Sequence, residues 1–443
     1  MSLVRRSCTT AVVITVLALS LIGAVVVPSS ASALSRSQAH YLAAANRGVK
    51  QTHKWWNHGR HWYASVLGGP NVASLWGIVP LFEALNGLQI AQPSNRHRRQ
   101  LNRFARGAER YLNPNLEPVP GFGPRPGQRE AGKTTWFDDN GWWGLAFLDA
   151  YRATGNPRYL NDAQIAQRFI SVSGWDTTPG RPGGIWWNTN HSFYAGESLA
   201  GGTLLSARLY ALTHDQAYLD DALKFIAWGD VWLTDPATGL YARLRRPGTY
   251  NAGTTSDTTS TGPGSTSPAA AAAADERALS ANPDEAAKLA ASGQPVTAPG
   301  EARSAFNNYP PFAPSPMPYV NGPMILAHQI ICQETGRQAF CQRAADLAAR
   351  TLQVYQRFWM GPQFDFWYVR TMLEFAQLDK NGDWYGIVQR NARSALHRSL
   401  DRHGLYLRTW YGKKASRANA PKGSIQLHSA NAALFAWMAA LGR

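Results

Sequence analysis

The chain has 443 residues, and its 44 Lys and Arg outnumber 28 Asp and Glu to give a formal net charge of +16. This excess favours contact with anionic surfaces such as acidic wall polymers or phosphorylated glycans, although a soluble basic exterior would also account for it. The basic residues are scattered and carry no recognition motif, which argues against nucleic-acid binding. The histidines are dispersed, and neither a Gly-rich phosphate loop nor a G-x-S-x-G serine elbow is present, so we expect no metal and no cofactor.

The N-terminus has the pattern of a Sec secretory signal. Arg5 and Arg6 precede an apolar run from Ala11 to Val27, and Ala31-Ser32-Ala33 fits the small-residue site that signal peptidase accepts. We therefore expect residues 1–33 to be a signal peptide cleaved after Ala33, and the protein to be secreted. An uncleaved membrane anchor is the alternative, because the apolar run approaches spanning length.

A sequence motif that recurs along the chain predicts helix hairpins. In three places Thr is followed by an aromatic residue five positions later and by Ala four positions after that: Thr154, Tyr159, Ala163; Thr213, Tyr218, Ala222; Thr335, Phe340, Ala344. Apolar residues at helical spacing flank each copy, and Gly155-Asn156-Pro157 is the clearest helix stop. Looser versions follow Leu81 and Leu373. The pattern predicts an all-α chain of helix pairs, closed into a toroid or open as a solenoid, with Gly183 to Tyr194 as a rim loop.

One stretch interrupts the hairpins. Between Asn251 and Ala305 there is no aromatic residue, and the composition is rich in Ala, Ser, Thr, Pro and Gly. Such a segment cannot bury enough apolar surface to fold by itself. We expect 251–305 to be a disordered insertion in a single domain of residues 34–443; a linker between two domains is the alternative.

Two cysteines, Cys332 and Cys341, lie nine residues apart, where one helix is predicted to end near Gly336 and the next to begin near Phe340. A disulfide there would join the two helices of a hairpin and would suit an oxidising exterior. Two buried reduced thiols are the alternative.

The segment from Trp136 to Gly144 places two adjacent carboxylates, Asp138 and Asp139, among aromatic residues at the start of a predicted amphipathic helix. Glycoside hydrolysis usually needs two carboxyl groups, and indole rings offer apolar platforms for sugar faces. Adjacent helical residues point about 100° apart, so both can address one cleft only from a turn or a helix end. A helix cap or a surface motif is the alternative for a bare Asp-Asp pair.

These residues resemble a known family. The run WFDDNGWWGLAFLDAYRATGNPRYL, together with Gly183-Gly184-Ile185-Trp186-Trp187, is similar to glycoside hydrolase family 76, the endo-α-1,6-mannanases and their fungal cell-wall transglycosidase relatives. Weaker likeness extends from about Ala43 to the C-terminus. The resemblance implies an (α/α)6 barrel and a retaining mechanism in which Asp138 is the nucleophile and Asp139 the acid/base.

The resemblance also implies an α-mannan or manno-oligosaccharide substrate. We expect a monomer that cleaves α-1,6-mannosidic linkages; a mannan transglycosidase and a non-catalytic wall-binding protein are the alternatives. Asp365 is a further possible ligand, with a salt bridge to a nearby arginine as its alternative role. The full set of predicted substrate-binding residues is Trp136, Asn140, Trp143, Trp186, Trp187, Asn188 and Asp365.

Overall fold

Helices dominate the computed structural model, which describes residues 34–179, 181–191, 193–235, 237–245, 316–355, 358, 361–414 and 421–443. Residues Ser35–Arg443 form one compact unit. The predicted signal peptide, residues 1–33, and the predicted insertion, residues 251–305, lie outside the described residues.

Twelve helices lie in the described part of the chain, and they alternate between two kinds. The even-numbered helices are buried along most of their length, whereas the odd-numbered ones bury one face. In chain order they are α1 Arg36–Gln51, α2 Leu75–Ala91, α3 Asn95–Ala108, α4 Phe137–Thr154, α5 Pro157–Arg168, α6 Gly196–Thr213, α7 Gln216–Trp232, α8 Pro318–Thr335, α9 Gln338–Val354, α10 Pro362–Leu378, α11 Tyr385–Arg398 and α12 Ile425–Leu441.

The even-numbered helices form a closed inner ring. Each packs against the next one in chain order, and α12 packs against α2. The odd-numbered helices form the outer layer, each beside an inner helix, with α1 seated mainly on α12. The fold is therefore an (α/α)6 barrel, which confirms the closed alternative over the open solenoid.

The repeated Thr–aromatic–Ala motif marks the turn from an inner to an outer helix. In each copy the threonine hydroxyl donates to the carbonyl oxygen four residues earlier, at 2.6 to 2.8 Å. The next residue is left-handed, which ends the inner helix: Gly155, His214 and Gly336. The aromatic residue five positions after the threonine then lies in the first turn of the outer helix. The predicted helix pairs are confirmed here.

Short strands, which the sequence analysis did not predict, occur in the connections that lead into inner helices. They form three two-stranded antiparallel sheets: β1 Trp56–Asn57 with β2 Trp62–Tyr63, β3 Leu112–Asn113 with β4 Gly121–Phe122, and β5 Tyr194–Ala195 with β6 Leu244–Arg245. The predicted rim loop from Gly183 is mostly irregular, but its last residue, Tyr194, begins β5. Two-residue strands carry too little alternation for a sequence pattern to reveal them.

A cluster of paired charges fills the lumen in the second half of the inner helices. Arg370 contacts Asp149 at 2.8 Å and Glu374 at 2.9 Å, and Arg208 pairs with the same two carboxylates. The Arg370 guanidinium also lies 3.4 Å from the ring centre of Trp437. Because every arginine in this cluster has an acidic partner, the charges can be buried together at this end of the barrel.

A disulfide joins Cys332, in the last turn of α8, to Cys341, in the first turn of α9. The helices end and begin there within two residues of the predicted positions. None of the described helices combines the length and the apolar character that crossing a bilayer would require.

Candidate active site

The N-termini of the six inner helices share one end of the barrel, because inner and outer helices alternate along the chain. The second residue of each inner helix is buried, and we call this set the second-position ring: Trp76, Asp138, Glu197, Tyr319, Gln363 and Gln426. Helix N-termini carry partial positive charge that favours carboxylates in the first turn. This end of the barrel therefore favours buried carboxylates in the first turns of the inner helices.

Asp138 and Asp139 occupy the first turn of α4, with exposures of only 1% and 4%. The rim loop fixes their position, because Trp136 pairs in antiparallel fashion with Asn188 and the Phe137 amide donates to the Trp187 carbonyl oxygen at 2.9 Å. The extended backbone of Trp136 turns directly into helix at Phe137. The two carboxylates thus stand at a helix end, the setting in which adjacent residues can address one cleft.

A close contact between α4 and α6 brings a third carboxylate to this site. A Cβ atom on Gly141 would lie 2.9 Å from the Gly201 Cα atom, so the two helices can approach this closely only through glycine. Asp138 lies one turn before Gly141, and Glu197 lies one turn before Gly201. Asp138 is consequently close enough to Glu197 for its charge to raise the pKa of that carboxyl.

Glu197 is held by Arg243, whose Nε donates to Glu197 Oε1 at 2.6 Å. Both side chains are buried, and Glu197 Oε2 has no hydrogen-bond partner among the described residues. Burial raises the pKa of Glu197, Arg243 lowers it, and Asp138 raises it. Pairing of β5 with β6 places Arg243 beside the start of α6.

Aromatic side chains complete this end of the lumen. Tyr319 packs against Trp76 at 5.5 Å and against Trp142 at 4.8 Å between ring centres, and Trp142 lies 4.5 Å from Trp367. Burial raises the pKa of Tyr319 well above its usual value, and the charges of Asp138, Glu197 and Asp139 act in the same direction. The polar atoms of these four rings have no hydrogen-bond partner among the described residues. The site therefore combines carboxylates, flat apolar faces and unused hydrogen-bonding groups.

Asp365 lies in the first turn of α10, at the same end of the barrel. Its Oδ2 accepts from the Gly361 amide at 3.0 Å, and Oδ1 has no partner among the described residues. Burial raises the pKa of this carboxyl to about 8, opposed by the Gly361 hydrogen bond. Among the residues that the structure describes, the alternative role, a salt bridge to a nearby arginine, is not observed, and Arg370 pairs with Asp149 and Glu374.

The rim-loop residues predicted to bind substrate are packed in the structure. Trp186 stacks on Tyr194 at 4.3 Å and on His191 at 5.0 Å, and Trp187 packs on Phe193 at 4.7 Å. Trp136, Trp187 and Ala195 form one buried cluster, and Asn188 accepts from the Asn190 amide at 2.9 Å. These contacts hold the rim loop in position against the start of α4. Direct contacts between these residues and a sugar stay predictions.

Asn140 has a structural task in this geometry. Its amide group binds both backbone polar groups of Phe122, at 2.8 and 3.0 Å, and the Trp136 carbonyl oxygen at 2.9 Å. Asn321, at the same position of α8, binds Tyr241 and Met317 in the same way. Both amide hydrogens of Asn140 are thus committed to backbone, which is at odds with the predicted role in sugar binding.

Trp143, which was predicted from the sequence to bind substrate, is packed away from the lumen. Its ring packs within 5.8 Å of Phe82, Tyr111 and Phe147, inside the wall between helices. Its neighbour Trp142 is the indole that faces Tyr319 and Trp367 across the lumen. Because consecutive helical residues point about 100° apart, only one of the two can face the inner ring, and the structure corrects which one does so.

Several residues of the site escaped sequence analysis, chiefly Glu197, Arg243, Gln363 and Gln426. Glu197 follows Ala195-Gly196 and has no second acidic residue beside it in sequence to draw attention to it. Aligning the starts of the buried helices would have found the second-position ring, since its members share one register. No group of three or more metal-ligating side chains occurs among the residues that the structure describes.

Comparison with known proteins agrees with this fold. Residues 128–261 match the family model described as glycosyl hydrolase family 76. No curated protein sequence matches the chain. Among solved structures, a family 76 α-mannanase from Bacteroides thetaiotaomicron is 19% identical, with 90% of this chain and 95% of that chain covered and a TM-score of 0.68.

Two further structures are similar in fold. One is the α-1,6-mannanase of Salegentibacter sp. HEL1_6, which was solved as an inactive variant with two consecutive aspartates replaced by asparagine, in complex with α-1,6-mannotriose. It is 16% identical to this chain, the match covers 90% of this chain and 99% of that chain, and the TM-score is 0.61. Dfg5 from Chaetomium thermophilum, in complex with glucosamine, is 14% identical, covers 90% of both chains and gives a TM-score of 0.62. The family model and the fold together confirm the resemblance that the sequence indicated: this chain is similar to glycoside hydrolase family 76.

Proposed function

We propose that this protein is a secreted retaining glycosidase that cleaves α-1,6-mannosidic linkages. The observation that carries the proposal is the position of Asp138 and Asp139, buried side by side in the first turn of an inner helix. The α-1,6-mannotriose bound by the Salegentibacter relative supports the choice of substrate.

In the proposed reaction, the Asp138 carboxylate attacks the anomeric carbon of the mannose while Asp139 gives its proton to the departing glycosidic oxygen. This forms a covalent glycosyl ester on Asp138 and releases the shortened chain. Asp139 then takes a proton from water, and the resulting hydroxyl displaces Asp138 with overall retention of configuration. Retention requires the two carboxyl groups to be about 5–5.5 Å apart.

The surrounding residues would bind and orient the sugar. The apolar faces of Trp142, Tyr319 and Trp367 suit the carbon-bound hydrogens of pyranose rings. The unused donors of the same rings, and Glu197 Oε2, could hydrogen-bond to sugar hydroxyl groups, which would satisfy buried polar atoms that otherwise lack partners.

The decisive experiment is incubation of the purified protein with linear α-1,6-mannan, followed by sizing of the products. We expect shorter oligosaccharides from α-1,6-mannan and none from β-1,4-mannan. Asp138→Asn and Asp139→Asn should each reduce the rate by roughly 10²–10⁴-fold, while the exposed Asp346→Asn should not. A folded Asp138→Asn or Asp139→Asn variant with normal activity would refute its assigned role.

The same assay distinguishes the alternatives. Products longer than the substrate in the presence of an acceptor oligosaccharide would identify a transglycosidase, because a sugar rather than water then resolves the ester. Binding of mannan without any product would identify a non-catalytic wall-binding protein. Secretion is tested separately, by sequencing the N-terminus of the exported chain, which should begin at Leu34.

A further inference from the structure

Positive charge is concentrated in the segment that forms the first three helices. Residues 36–108, which span α1 to α3, contain ten Lys and Arg but a single acidic residue, Glu83. Glu83 is fully buried and accepts a hydrogen bond from Trp437 Nε1 at 2.9 Å. The surface of this region therefore carries cations without any carboxylate from the same segment.

A groove of ≈ 400 Å³ opens on this surface. It lies between the end of α1, the outer helix α3 and the hairpin formed by β1 and β2. Leu81 and Leu85 of α2 form its floor, and its lining includes Lys50, Arg96 and Arg103 but no Asp or Glu.

The hairpin gives this groove a fixed aromatic edge. Trp56 and Tyr63 are paired across β1 and β2, and their rings meet edge to face at 5.2 Å. Tyr63 also contacts Trp62 and Phe104 at 5.5 and 6.0 Å, which anchors the pair to α3. Trp56 as a whole residue remains 36% exposed. It is therefore a supported indole with a face available to a ligand.

The cations of the groove have no acidic partner in the part of the chain that the structure describes. Lys50, Arg96 and Arg103 are exposed at their side chains and form no salt bridge among the described residues. Their like charges repel one another, so an anion placed between them would be attracted by all three. Guanidinium groups are particularly suited to phosphate oxygens, which they can bind in bidentate fashion.

We propose that this groove is a second carbohydrate site that binds a phosphorylated glycan. The indole of Trp56 would contact a sugar face, and Arg96, Arg103 and Lys50 would bind its phosphate. The volume of the groove suits about one or two sugar rings, whereas single-stranded nucleic acid is held by successive stacking platforms along the strand. The site opens on the outer surface of the barrel and uses none of the second-position ring, so it goes beyond the proposed function.

Binding can be measured without catalysis, on the full chain carrying Asp138→Asn. The probes are α-1,6-mannotetraose, its 6-phosphorylated form, inorganic phosphate and a single-stranded DNA oligonucleotide. We expect the phosphorylated oligosaccharide to bind more tightly than the other three, and its affinity to fall as salt rises from 50 to 200 mM. Arg96→Gln/Arg103→Gln and Trp56→Ala should each weaken that binding by about tenfold.

The matched control is Arg168→Gln/Arg390→Gln, which removes the same charge from exposed positions of α5 and α11 and should leave binding unchanged. With Asp138 intact, all groove variants should cleave unphosphorylated mannotetraose at the normal rate. Equal binding of the plain oligosaccharide, equal or tighter binding of the DNA or of phosphate, or equal weakening by the control pair would overturn the proposal. None of these outcomes bears on catalysis at Asp138 and Asp139.

Discussion

Three carboxylates, Asp138, Asp139 and Glu197, stand in the first turns of two neighbouring inner helices, and Glu197 is paired with Arg243. Like charges in a buried site disfavour joint ionisation, and the positive ends of the converging helices act against that penalty. Arg243 therefore lowers the pKa of Glu197, against the burial and the Asp138 charge that raise it. The pair is a component of the site that neither composition nor motif reveals.

Breaking this pair should be costly to stability. Arg243→Gln leaves the Glu197 carboxylate buried without its counter-charge, which we expect to lower the free energy of unfolding by about 3–5 kcal/mol. The double variant Glu197→Gln/Arg243→Gln should recover most of this loss, because no unpaired charge remains. Urea unfolding at pH 7 measures both.

The control for this cycle is Arg343→Gln, which breaks a more exposed pair with Asp230. That change should cost at most about 1 kcal/mol. A cost for Arg243→Gln no larger than for Arg343→Gln would show that solvent reaches the buried pair.

Asp365 should make stability depend on pH. Its pKa is about 8 in the folded protein against 3.8 for an unperturbed side chain, so the folded state holds a proton that the unfolded chain releases. Its contribution to stability is therefore fully present below about pH 4 and is lost as pH rises towards 8. Asp365→Asn should remove this dependence, so the variant should gain thermal stability relative to wild type between pH 5 and pH 8. The measurement is the melting temperature of both proteins at each pH in this range, with the exposed Asp346→Asn variant as control. If the melting temperatures of wild type and Asp365→Asn changed with pH in the same way, the raised pKa of Asp365 would be contradicted.

At the residue scale, the sequence identified the carboxylates but not the roles of their neighbours. Trp142 and Trp143 are both buried aromatic residues in one motif, and the choice between them depends on the rotation of α4 within the ring. Asn140 looks like a sugar ligand in sequence, yet its equivalence to Asn321 becomes visible only when the two helices are superposed in register. Such distinctions require the neighbouring helices, which a linear motif does not contain.

At the element scale, the turns from inner to outer helices were the most predictable feature. Each turn repeats a threonine that bonds to the preceding helical turn, a left-handed residue that ends the inner helix, and an aromatic residue in the first turn of the outer helix. Because these roles are local, their spacing can be recognised in the sequence. The connections from outer to inner helices have no common length or phrase. Their two-residue strands depend on contacts between segments far apart in sequence, as when β5 pairs with β6 across α6 and α7.

The disulfide belongs to the element scale, because it joins the ends of one hairpin. It joins two cysteines that are only nine positions apart in sequence, and closing such a short loop should contribute about 2–3 kcal/mol. Cys332→Ala/Cys341→Ala should therefore melt at a lower temperature but keep the fold and the active site. Mass spectrometry of the unreduced secreted protein should find the two peptides linked, and two freely alkylated thiols would refute the bond in the exported protein.

At the scale of the whole molecule, the two ends of the described chain close the barrel together. Outer helix α1 packs on α12, where His428 Nε2 meets the Gly48 carbonyl oxygen at 2.9 Å and Gln38 donates to Gly442 at 3.0 Å. The hairpin repeat predicts helix pairs but cannot predict this sixth pair, whose members are the first and last helices. Closure followed from the family resemblance alone, and the contact between α12 and α2 is the physical basis for it.

The structure also bears on the predicted insertion, because it joins the chain segments on either side. Asn321 binds both backbone polar groups of Tyr241 at 2.9 Å across 80 residues of sequence, so the chain leaves and re-enters the barrel at one place. Loop-closure entropy grows by only about 0.6 kcal/mol per doubling of length, so a shorter connection should be tolerated. We expect replacement of residues 251–305 by a short Gly-Ser linker to preserve cooperative unfolding and cleavage of small α-1,6-manno-oligosaccharides.

A longer deletion, of residues 241–305, provides the contrast. It removes Tyr241, which Asn321 holds, and Arg243, which pairs with Glu197, so it should destabilise the barrel and abolish activity even though it adds few residues to the deletion. Thermal unfolding and oligosaccharide cleavage should therefore separate the two variants sharply. If the shorter deletion also lost cooperative unfolding, residues 251–305 would have to pack against the barrel, and their lack of aromatic side chains would not have made them dispensable.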